Sequence, residues 1–454
     1  MTPGQGEQPV TGNQTSPVQA ALPAPQPAAA SPHNPAGDHA IGRRPAHLPL
    51  AAVPKKTARY APVLLGGAAA AVLAMAMPAR ANPISGHDAT GTRSISTILN
   101  PGDIVTGVRA TGNGINVILT GAETPVGSEL AMPFLYQGPL TPAAKDPTLL
   151  HPPFPGGIKT ATFYGPDTPY YNPDSIPAGQ VRAVGSYQTM TTPSGGNSGV
   201  MNHGMIYLGP VSGSGGQWTS IDVPADGSNT AGHVRACPIT RPGCFVRNTI
   251  AHSTMGDLVV GNYDLNPSVP GGLVSANAFI YNMSTHLWTL LRLGGSLSSL
   301  TTLYGIWQNG GPGSPNYTLA GGSSAHGSSL GTQRAFLMNY NERTGVFGPP
   351  TFYSYGNAPA AVTHFDGITK VQGGFNLAAV SSAQPSSMAF VPATGGNWPS
   401  FGTATWYPIN VAASRVCSGE CTQVTGNTVY QSRVMGLYVV NGTNHTYLAS
   451  VHTP

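Results

Sequence analysis

The strongest constraint on this 454-residue chain is a short strand-like motif that occurs six times. Each copy has a small residue, then an aromatic residue or Met, then an aliphatic residue. The copies are Pro133-Phe134-Leu135, Gly204-Met205-Ile206, Ala278-Phe279-Ile280, Ala335-Phe336-Leu337, Ala389-Phe390-Val391 and Thr446-Tyr447-Leu448. They are separated by 71, 74, 57, 54 and 57 residues. A series of this kind indicates an array of repeats, and it has to be interpreted before any single site is considered.

Three further strand patterns accompany each copy. A strand that opens on Thr comes first, at Thr106, Thr162, Thr249, Thr302, Thr363 and Thr428. A strand of aliphatic residues with Gly or Asn follows it, as in Val184-Gly185-Ser186-Tyr187. After the aromatic strand comes a fourth, with Trp218, Trp288, Phe347 and Trp406 at matching places. Four strands in about 55 to 75 residues is the size of a propeller blade with some long loops.

The last repeat supplies only three strands before the chain ends. Residues Ser94 to Leu99 have strand character and precede the first repeat, so they can provide the missing outer strand and close a ring. The sequence therefore predicts an all-β protein, a β-propeller of six four-stranded blades closed by an N-terminal strand. Five or seven blades are alternatives, and the rival architecture is a large antiparallel barrel or sandwich.

Two of the aromatic strands carry a longer pattern, Asn202-His203-Gly204-Met205-Ile206-Tyr207 and Asn277-Ala278-Phe279-Ile280-Tyr281. This pattern resembles the HAF-type repeats of bacterial extracellular proteins, in which a His/Ala/Phe strand is followed by an aliphatic–aromatic pair. The resemblance covers most of the chain after residue 81, although the His is present in one copy only. It implies a fold rather than a function.

The first 81 residues have a different composition from the repeats. Residues 1–60 are rich in Pro and Ala, which predicts a disordered leader. Basic residues at Lys55, Lys56 and Arg59 precede an apolar run, and 61–81 end in Ala79-Arg80-Ala81, which is typical of a cleaved signal segment. The alternative is an uncleaved membrane anchor, and the long leader also fits a start codon assigned too far upstream. Residues 82–454 are then a single repetitive domain.

The charge balance excludes one class of partner. Six of the twenty basic residues and two of the sixteen acidic residues lie in 1–81, which leaves fourteen of each. A formally neutral domain without a Lys/Arg-rich run offers little to a phosphate backbone, so nucleic-acid binding is excluded. After signal cleavage the sequence also predicts no membrane span. It does not indicate an oligomeric state.

Four cysteines form two close pairs, Cys237 with Cys244 and Cys417 with Cys421. Two disulfides are expected, because each pair can close a small loop in an oxidising compartment. Zinc binding is the rival interpretation, but the spacings do not match paired Cys-x-x-Cys knuckles. The sequence predicts neither a metal nor a cofactor.

In a propeller the strands that open on Thr line the central channel. The third residue after each Thr is then expected to face the channel, which gives Arg109, Gly165, His252, Gly305, Asp366 and Gln431. The second residue after each Thr is expected to pack between blades, which gives Val108, Tyr164, Ala251, Tyr304, Phe365 and Tyr430. His364 adds a further polar group near the channel mouth.

Arg109, His252, His364, Asp366 and Gln431 are therefore the candidate ligand-binding residues. Converging His, Asp and Arg side chains can bind a sugar or a metal or supply acid and base groups. The alternative is that they merely hydrate the channel or bond to neighbouring blades. No catalytic residue is assigned, because no established catalytic motif is present.

Trp307, beside Gln308-Asn309-Gly310-Gly311, is a candidate aromatic in a loop on the propeller face, where it would stack on a sugar. It fits equally well as a packed loop anchor. These observations favour an exported surface or periplasmic binding protein whose partner is a polysaccharide or a cell-surface component. The alternatives are a secreted glycoside hydrolase or related glycan-active enzyme, and a structural envelope protein without a small ligand, so enzymatic activity stays open.

Overall fold

The computed structural model describes residues 92–124, 130–190, 199–240, 243–266, 276–293, 300–324, 333–357, 361–417 and 421–452. The predicted leader, 1–60, and the predicted signal segment, 61–81, lie outside these residues. The described residues form strands, with two short 3-10 turns at Ala231–His233 and Tyr355–Asn357. None of their helical segments has the length and apolar character needed to cross a membrane.

The strands form six antiparallel sheets in chain order. Blade 1 contains β2 (Asp103–Ala110), β3 (Asn116–Glu123), β4 (Met132–Pro139) and β5 (Thr148–Leu149). Blade 2 contains β6 (Ile158–Asp167), β7 (Gln180–Thr189), β8 (His203–Pro210) and β9 (Gln217–Ile221). Blade 3 contains β10 (Val246–Met255), β11 (Leu258–Leu265), β12 (Asn277–Asn282) and β13 (Leu287–Leu291).

The remaining blades depart slightly from this plan. Blade 4 contains β14 (Thr301–Asn309), β15 (Asn316–Ser323), β16 (Arg334–Asn341) and a divided outer strand, β17 (Val346–Phe347) and β18 (Thr351–Tyr353). Blade 5 contains β19 (Thr363–Val371), β20 (Gly374–Ser381), β21 (Ser387–Thr394), β22 (Ser400–Phe401) and β23 (Thr405–Pro408). Blade 6 contains β24 (Cys421–Tyr430), β25 (Arg433–Val440) and β26 (Thr443–Val451).

The N-terminal strand β1 (Thr92–Ile98) completes blade 6 and closes the ring. It pairs antiparallel with β26, and Ile98 lies opposite Thr446. The first strand of each blade contacts the first strands of both neighbouring blades, and β2 contacts β24 to complete the circle. The predicted six-bladed propeller with N-terminal closure is therefore confirmed.

The core lies between the blades, and a Gly–aromatic pair explains much of its sequence pattern. Gly121 of β3 lies opposite Phe134 of β4, and Gly261 of β11 lies opposite Phe279 of β12. A Cβ on Gly121 would stand 2.6 Å from the Phe134 ring, so the absence of a side chain makes room for the aromatic residue. Both Phe side chains are fully buried, and each contributes about 1.5–3 kcal/mol through removal from water.

Blade 5 does not place the Phe of its motif where the other blades place their aromatic residue or Met. Ser387, rather than Phe390, is the residue of β21 opposite Ala379, the position that matches Gly121 and Gly261. Phe390 is consequently only partly buried, and the aromatic volume comes from Trp406, whose ring stacks on Phe365 at 6.0 Å. The spacing of the motif predicted the strand correctly but not the side chain that fills the core.

Both predicted disulfides are confirmed, and the two bonds lie in connections between blades. Cys237 bonds to Cys244 between β9 and β10, with 5.7 Å between their Cα atoms. Cys417 bonds to Cys421 at the start of β24, with 5.8 Å between their Cα atoms. Disulfides of this kind are typical of an oxidising compartment.

Candidate ligand site in the central channel

Every inner strand is interrupted by a β-bulge at one equivalent place. At each bulge one residue has no partner in the neighbouring strand, because the register of pairing shifts around it. The six bulge residues are Thr106, Tyr164, His252, Tyr304, Asp366 and Asn427. Bulges redirect a side chain away from the regular alternation of a strand. We call this set the bulge ring.

The bulge ring faces the central channel. Each of its residues is partly exposed, whereas the residues on either side of it are buried. The residue after each bulge is Gly, Ser or Thr. At Gly107, Gly165 and Gly367 an added Cβ would meet the backbone of the next blade, and at Gly305 it would meet the Ile368 side chain of the next blade. A Cβ on Gly165, for example, would stand 2.7 Å from the carbonyl oxygen of His252. The small residues bring adjacent inner strands together and turn the bulge residues inward.

Three consecutive members of the ring form an aromatic arc. The ring centroids of Tyr164 and His252 are 4.9 Å apart, and those of His252 and Tyr304 are 4.5 Å apart in an edge-to-face arrangement. Tyr304 continues the arc to His364, at 5.5 Å. Blades 2, 3 and 4 therefore present rings to the channel, and such rings offer apolar faces to a ligand.

A histidine–aspartate pair stands beside the arc in blade 5. The Nδ1 atom of His364 lies 2.5 Å from the Oδ1 atom of Asp366. Their side chains are 20% and 16% exposed, so solvent in the channel reaches both. The pair arises locally, since Asp366 is the bulge residue and His364 lies two positions earlier in the same strand.

The charges in this part of the channel nearly cancel. Burial and the charge of His364 lower the pKa of His252 to about 3, so His252 is neutral at physiological pH. Burial opposes protonation of His364, but the Asp366 carboxylate outweighs it, and the pKa of His364 is raised. Burial likewise raises the pKa of Asp366 and that of Tyr304. The arc is uncharged, and any charge on His364 faces that of Asp366.

The side of the bulge ring opposite the aromatic arc is polar, and its side chains are hydrogen-bonded to the backbone of neighbouring blades. The Thr106 hydroxyl donates to the carbonyl oxygen of Phe163 at 2.5 Å. The side-chain amide of Asn427 donates to the carbonyl oxygen of Val105 at 2.7 Å. These bonds join blades 1, 2 and 6 around the channel. The channel therefore has an aromatic wall opposite a wall of hydroxyl, amide and carboxylate oxygens.

Arg109 closes the channel at the end where the inner strands finish. It projects from β2 in blade 1, and its Nη2 atom donates to the carbonyl oxygen of Ile306 at 3.0 Å. Ile306 belongs to β14 in blade 4, which is three blades away and therefore on the opposite side of a six-membered ring. The guanidinium also lies over the Trp307 ring, 5.6 Å from its centroid. Arg109 and Trp307 are only 6% and 9% exposed.

The connection between β6 and β7 covers this closed end. Tyr171 from this connection makes an edge-to-face contact with Trp307 at 5.5 Å. The side-chain amide of Asn172 donates to the carbonyl oxygen of Gly256 at 2.8 Å, and the hydroxyl of Thr168 donates to the carbonyl oxygen of Ala110 at 2.7 Å. We call Arg109, Trp307 and Tyr171 the plug.

The candidate residues from the sequence fall into three places. His252, His364 and Asp366 come together in the channel. Arg109 lies in the plug, and Gln431 is exposed in the turn between β24 and β25 with a positive φ of 52°. The sequence predicts Trp307 in a loop, and this is wrong. Trp307 lies within β14, and its ring packs under the guanidinium of Arg109.

Two members of the aromatic arc were expected elsewhere. Tyr164 and Tyr304 were predicted to pack between blades, but they are bulge residues and face the channel, while Gly165 and Gly305 supply the close approach. In blade 2 the bulge residue is the third residue after Ala161 rather than after Thr162, and in blade 4 it is the third residue after Thr301 rather than after Thr302. The position that matches Thr249 is Thr301, since both hydroxyls accept a backbone N–H from the preceding connection, at 3.1 and 3.2 Å.

A short sequence pattern marks the bulges directly. In five blades an apolar residue precedes the bulge residue and a small residue follows it, as in Val-Thr-Gly, Phe-Tyr-Gly, Ala-His-Ser, Leu-Tyr-Gly and Phe-Asp-Gly.

Among the described residues, no three His, Cys, Asp or Glu side chains are grouped so that they could hold a metal ion.

No protein-family model matches the sequence, and no curated protein is detectably similar to it. The resemblance to HAF-type repeats therefore stays a prediction. Among solved structures, α-L-arabinanase from Penicillium chrysogenum, complexed with arabinobiose, is similar with a TM-score of 0.45 and 11% identity over 80% of this chain and 98% of that one.

Two further solved structures are similar at a lower level. The Dos1 propeller has a TM-score of 0.33 and 10% identity over 78% of this chain and 94% of that one. The β-1,2-mannobiose phosphorylase of Listeria innocua, in complex with β-1,2-mannobiose, has a TM-score of 0.30 and 11% identity over 79% of this chain and 91% of that one. Similarities this weak identify no family, and the propeller assignment rests on the sheet topology.

Proposed function

We propose that this chain is an exported binding protein that takes a neutral carbohydrate in the central channel, at the bulge ring. The observation that carries the proposal is the asymmetry of the channel wall. Tyr164, His252 and Tyr304 present rings on one side, and Asp366 presents carboxylate oxygens on the other. A sugar has the matching form, because its C–H face packs on aromatic rings and its hydroxyls bond to oxygen acceptors.

The electrostatics of the site favour a neutral ligand over an anionic one. His252 is uncharged at physiological pH because its pKa is about 3. Asp366 faces any positive charge on His364, and Arg109 is engaged with Ile306 and Trp307 in the plug. A phosphate or carboxylate ligand would therefore meet no unpartnered cation among these groups. Two disulfides and an N-terminal hydrophobic segment support export to an oxidising compartment, with a polysaccharide or a cell-surface component as the source of the sugar.

A glycan-cleaving enzyme is the second candidate, because the His364–Asp366 pair has the chemistry of an acid–base group. Glycoside hydrolysis ordinarily needs two carboxyl groups on either side of the scissile bond. The bulge ring contributes one, Asp366. Asp167, three positions after the Tyr164 bulge, is fully buried beside Arg182, at 3.9 Å. Binding without cleavage is accordingly the function that the geometry supports best.

The test uses the full chain, produced with export and purified with its disulfides intact, on an array of neutral mono- and oligosaccharides. Tyr304→Ala and Asp366→Asn change the channel. Trp398→Ala is the matched aromatic control, since Trp398 is 39% exposed and lies in the connection between β21 and β22. Asp222→Asn is the matched control for the pair, because Asp222 bonds to His203 at 2.8 Å on an exposed part of blade 2.

We expect Tyr304→Ala to weaken binding by about ten-fold or more, because the stacked ring and its apolar area are lost. Asp366→Asn should also weaken it, and the two control variants should bind like the unmodified protein. Loss of binding in Trp398→Ala, with none in Tyr304→Ala, would move the site to the outer surface. Release of reducing ends that Asp366→Asn abolishes would establish the enzyme instead. No binding to any sugar would favour a structural role.

A further inference from the structure

We infer that the channel is entered from one side only, and that its ligand is a free small sugar or the terminal unit of a chain rather than an internal segment. This inference rests on the proposed function for the identity of the ligand. The one-sided geometry itself rests only on the plug and on the exposure of the channel side chains.

The plug spans the channel. Arg109 joins opposite blades through its bond to the Ile306 carbonyl oxygen. Trp307 lies under the guanidinium on the far side, and Tyr171 packs against Trp307 from the β6–β7 connection. A polymer that threaded the propeller along its axis would have to displace this bond and these rings.

The plug is held firmly from outside the channel. Thr168 and Asn172 bond to the carbonyl oxygens of Ala110 and Gly256, and so fix both ends of the turn that carries Tyr171. Arg182 donates from its Nη1 atom to the same Gly256 oxygen at 2.5 Å. The connection is therefore bonded to blades 1 and 3, the two blades that flank blade 2, and is built as a fixed cover.

Solvent reaches the channel side chains unequally. His364 and Asp366 are 20% and 16% exposed, although both lie within the ring of inner strands. Arg109 and Trp307, farther along the same strands, are 6% and 9% exposed. Since water reaches the bulge ring but hardly reaches Arg109 and Trp307, it enters from the end where the inner strands begin. A ligand must take the same route, and it meets the plug after passing the aromatic arc.

A ligand-free experiment tests the geometry. All four cysteines are in disulfides, so Thr106→Cys introduces a single thiol into the bulge ring. The rate at which this thiol reacts with a small maleimide is measured in two proteins. One carries Thr106→Cys alone, and the other carries both Thr106→Cys and Arg109→Ala. If Arg109 closes one end, its removal adds a second entrance, and the rate should rise by about two-fold or more. An unchanged rate in the folded double variant would overturn the inference.

Arg109→Met guards against misfolding. Met keeps an apolar stem over Trp307 but cannot donate a hydrogen bond to the Ile306 carbonyl oxygen. The labelling rate with Arg109→Met should therefore lie between the rate with Arg109 and the rate with Arg109→Ala. Circular dichroism and a thermal melt of each variant establish that the labelled protein is folded. If Arg109→Ala does not fold, the comparison is made with Arg109→Met, and equal rates with and without that change would overturn the inference.

A competition experiment tests the ligand class. The competitors are a hexasaccharide and a long polymer of each linkage, and they compete with the sugar captured best on the array. The linkages are those of β-1,4-, β-1,3- and α-1,4-glucan, mannan and arabinan. At equal residue concentration a protein that recognises chain ends should be inhibited about fifty-fold less by a polymer of about 300 units than by the hexamer, since inhibition follows the concentration of ends. Equal inhibition would overturn terminal recognition. If no sugar binds at all, the proposed function fails, while the labelling rates still decide whether the channel is closed.

Discussion

Replacing Gly165 with Ala should separate the inner strands of blades 2 and 3 and destabilise the propeller. A Cβ at this position would lie 2.7 Å from the carbonyl oxygen of His252 and 2.9 Å from the Cα atom of Ser253. Both contacts are with backbone in the middle of a strand, so no side-chain rotation can relieve them. The added methyl group must therefore push β6 away from β10 at the bulge ring.

Two effects of opposite sign set the magnitude. Crowding a packed site typically costs about 1–3 kcal/mol, whereas Gly to Ala stabilises by about 0.4–1 kcal/mol through the unfolded chain. The first effect should win, with a net loss of about 1–2 kcal/mol. For a domain of roughly 360 residues the unfolding entropy is about 0.75 kcal/mol per kelvin, so the expected fall in Tm is about 1–3 °C.

Gly402→Ala is the matched control. Its added Cβ would have no heavy atom closer than 3.4 Å, and its φ lies outside the left-handed region. Only the effect on the unfolded chain then operates, so this variant should be as stable as the parent or slightly more stable. Chemical denaturation of both variants measures the difference more sharply than the melt. Equal or greater stability of Gly165→Ala would refute the close approach that turns the bulge residues inward.

Three further predictions address ring closure, buried charge and the arc. A chain that starts at residue 100 lacks β1 and leaves β26 as a free edge, so it should be aggregated or unfolded on size exclusion, whereas a chain that starts at residue 82 should be a folded monomer or a defined oligomer. Burial raises the pKa of Asp264 from 3.8 to about 6, so the folded state holds the Asp264 proton more tightly than the unfolded state does. The contribution of this group to the free energy of unfolding is therefore present below pH about 4 and should be lost as the pH rises through about 6. In urea titrations at several pH values, Asp264→Asn should make the free energy of unfolding depend less on pH. An unchanged dependence on pH would contradict the raised pKa of Asp264. His252 should stay neutral down to pH about 4 in an NMR titration, because burial and His364 lower its pKa to about 3; a midpoint near 6.5 would show that it is not enclosed by the arc.

The blade order could be predicted from the sequence because its signals are local. Turn residues and alternating apolar positions recur within single blades, and several blades also place a Gly opposite the aromatic residue, as with Gly261 and Phe279. The closing strand was also predictable, since the last repeat lacked one strand and Ser94 to Leu99 had no other place.

The channel was harder to predict because its geometry depends on contacts between blades. His252 and Asp366 could be found by counting three positions from a Thr, but the same count misses Tyr164 and Tyr304. Tyr304 is the third residue after Thr301 rather than Thr302, and Tyr164 is the third residue after Ala161 rather than Thr162. The bulge lies where the inner strand packs closely against the next blade, and a single strand records this contact only through its small residue.

The plug could not be predicted from local patterns at all. Arg109 bonds to the Ile306 carbonyl oxygen across 197 residues, and the bond exists only once six blades have closed into a ring. Trp307 was misplaced for the same reason. Its neighbours in sequence are Gln and Asn followed by two Gly, which is typical of a loop, whereas its position in β14 is fixed by pairing with Thr318 of β15.

A crystal structure of the protein with the sugar that the array captures best would test the central claim most directly. We predict one sugar ring in the channel, packed on Tyr304 and Tyr164, with a hydroxyl within hydrogen-bond distance of Asp366 and with Arg109 still bonded across the channel. Sugar density on the outer surface, with the bulge ring empty, would contradict the assignment of the channel as the ligand site.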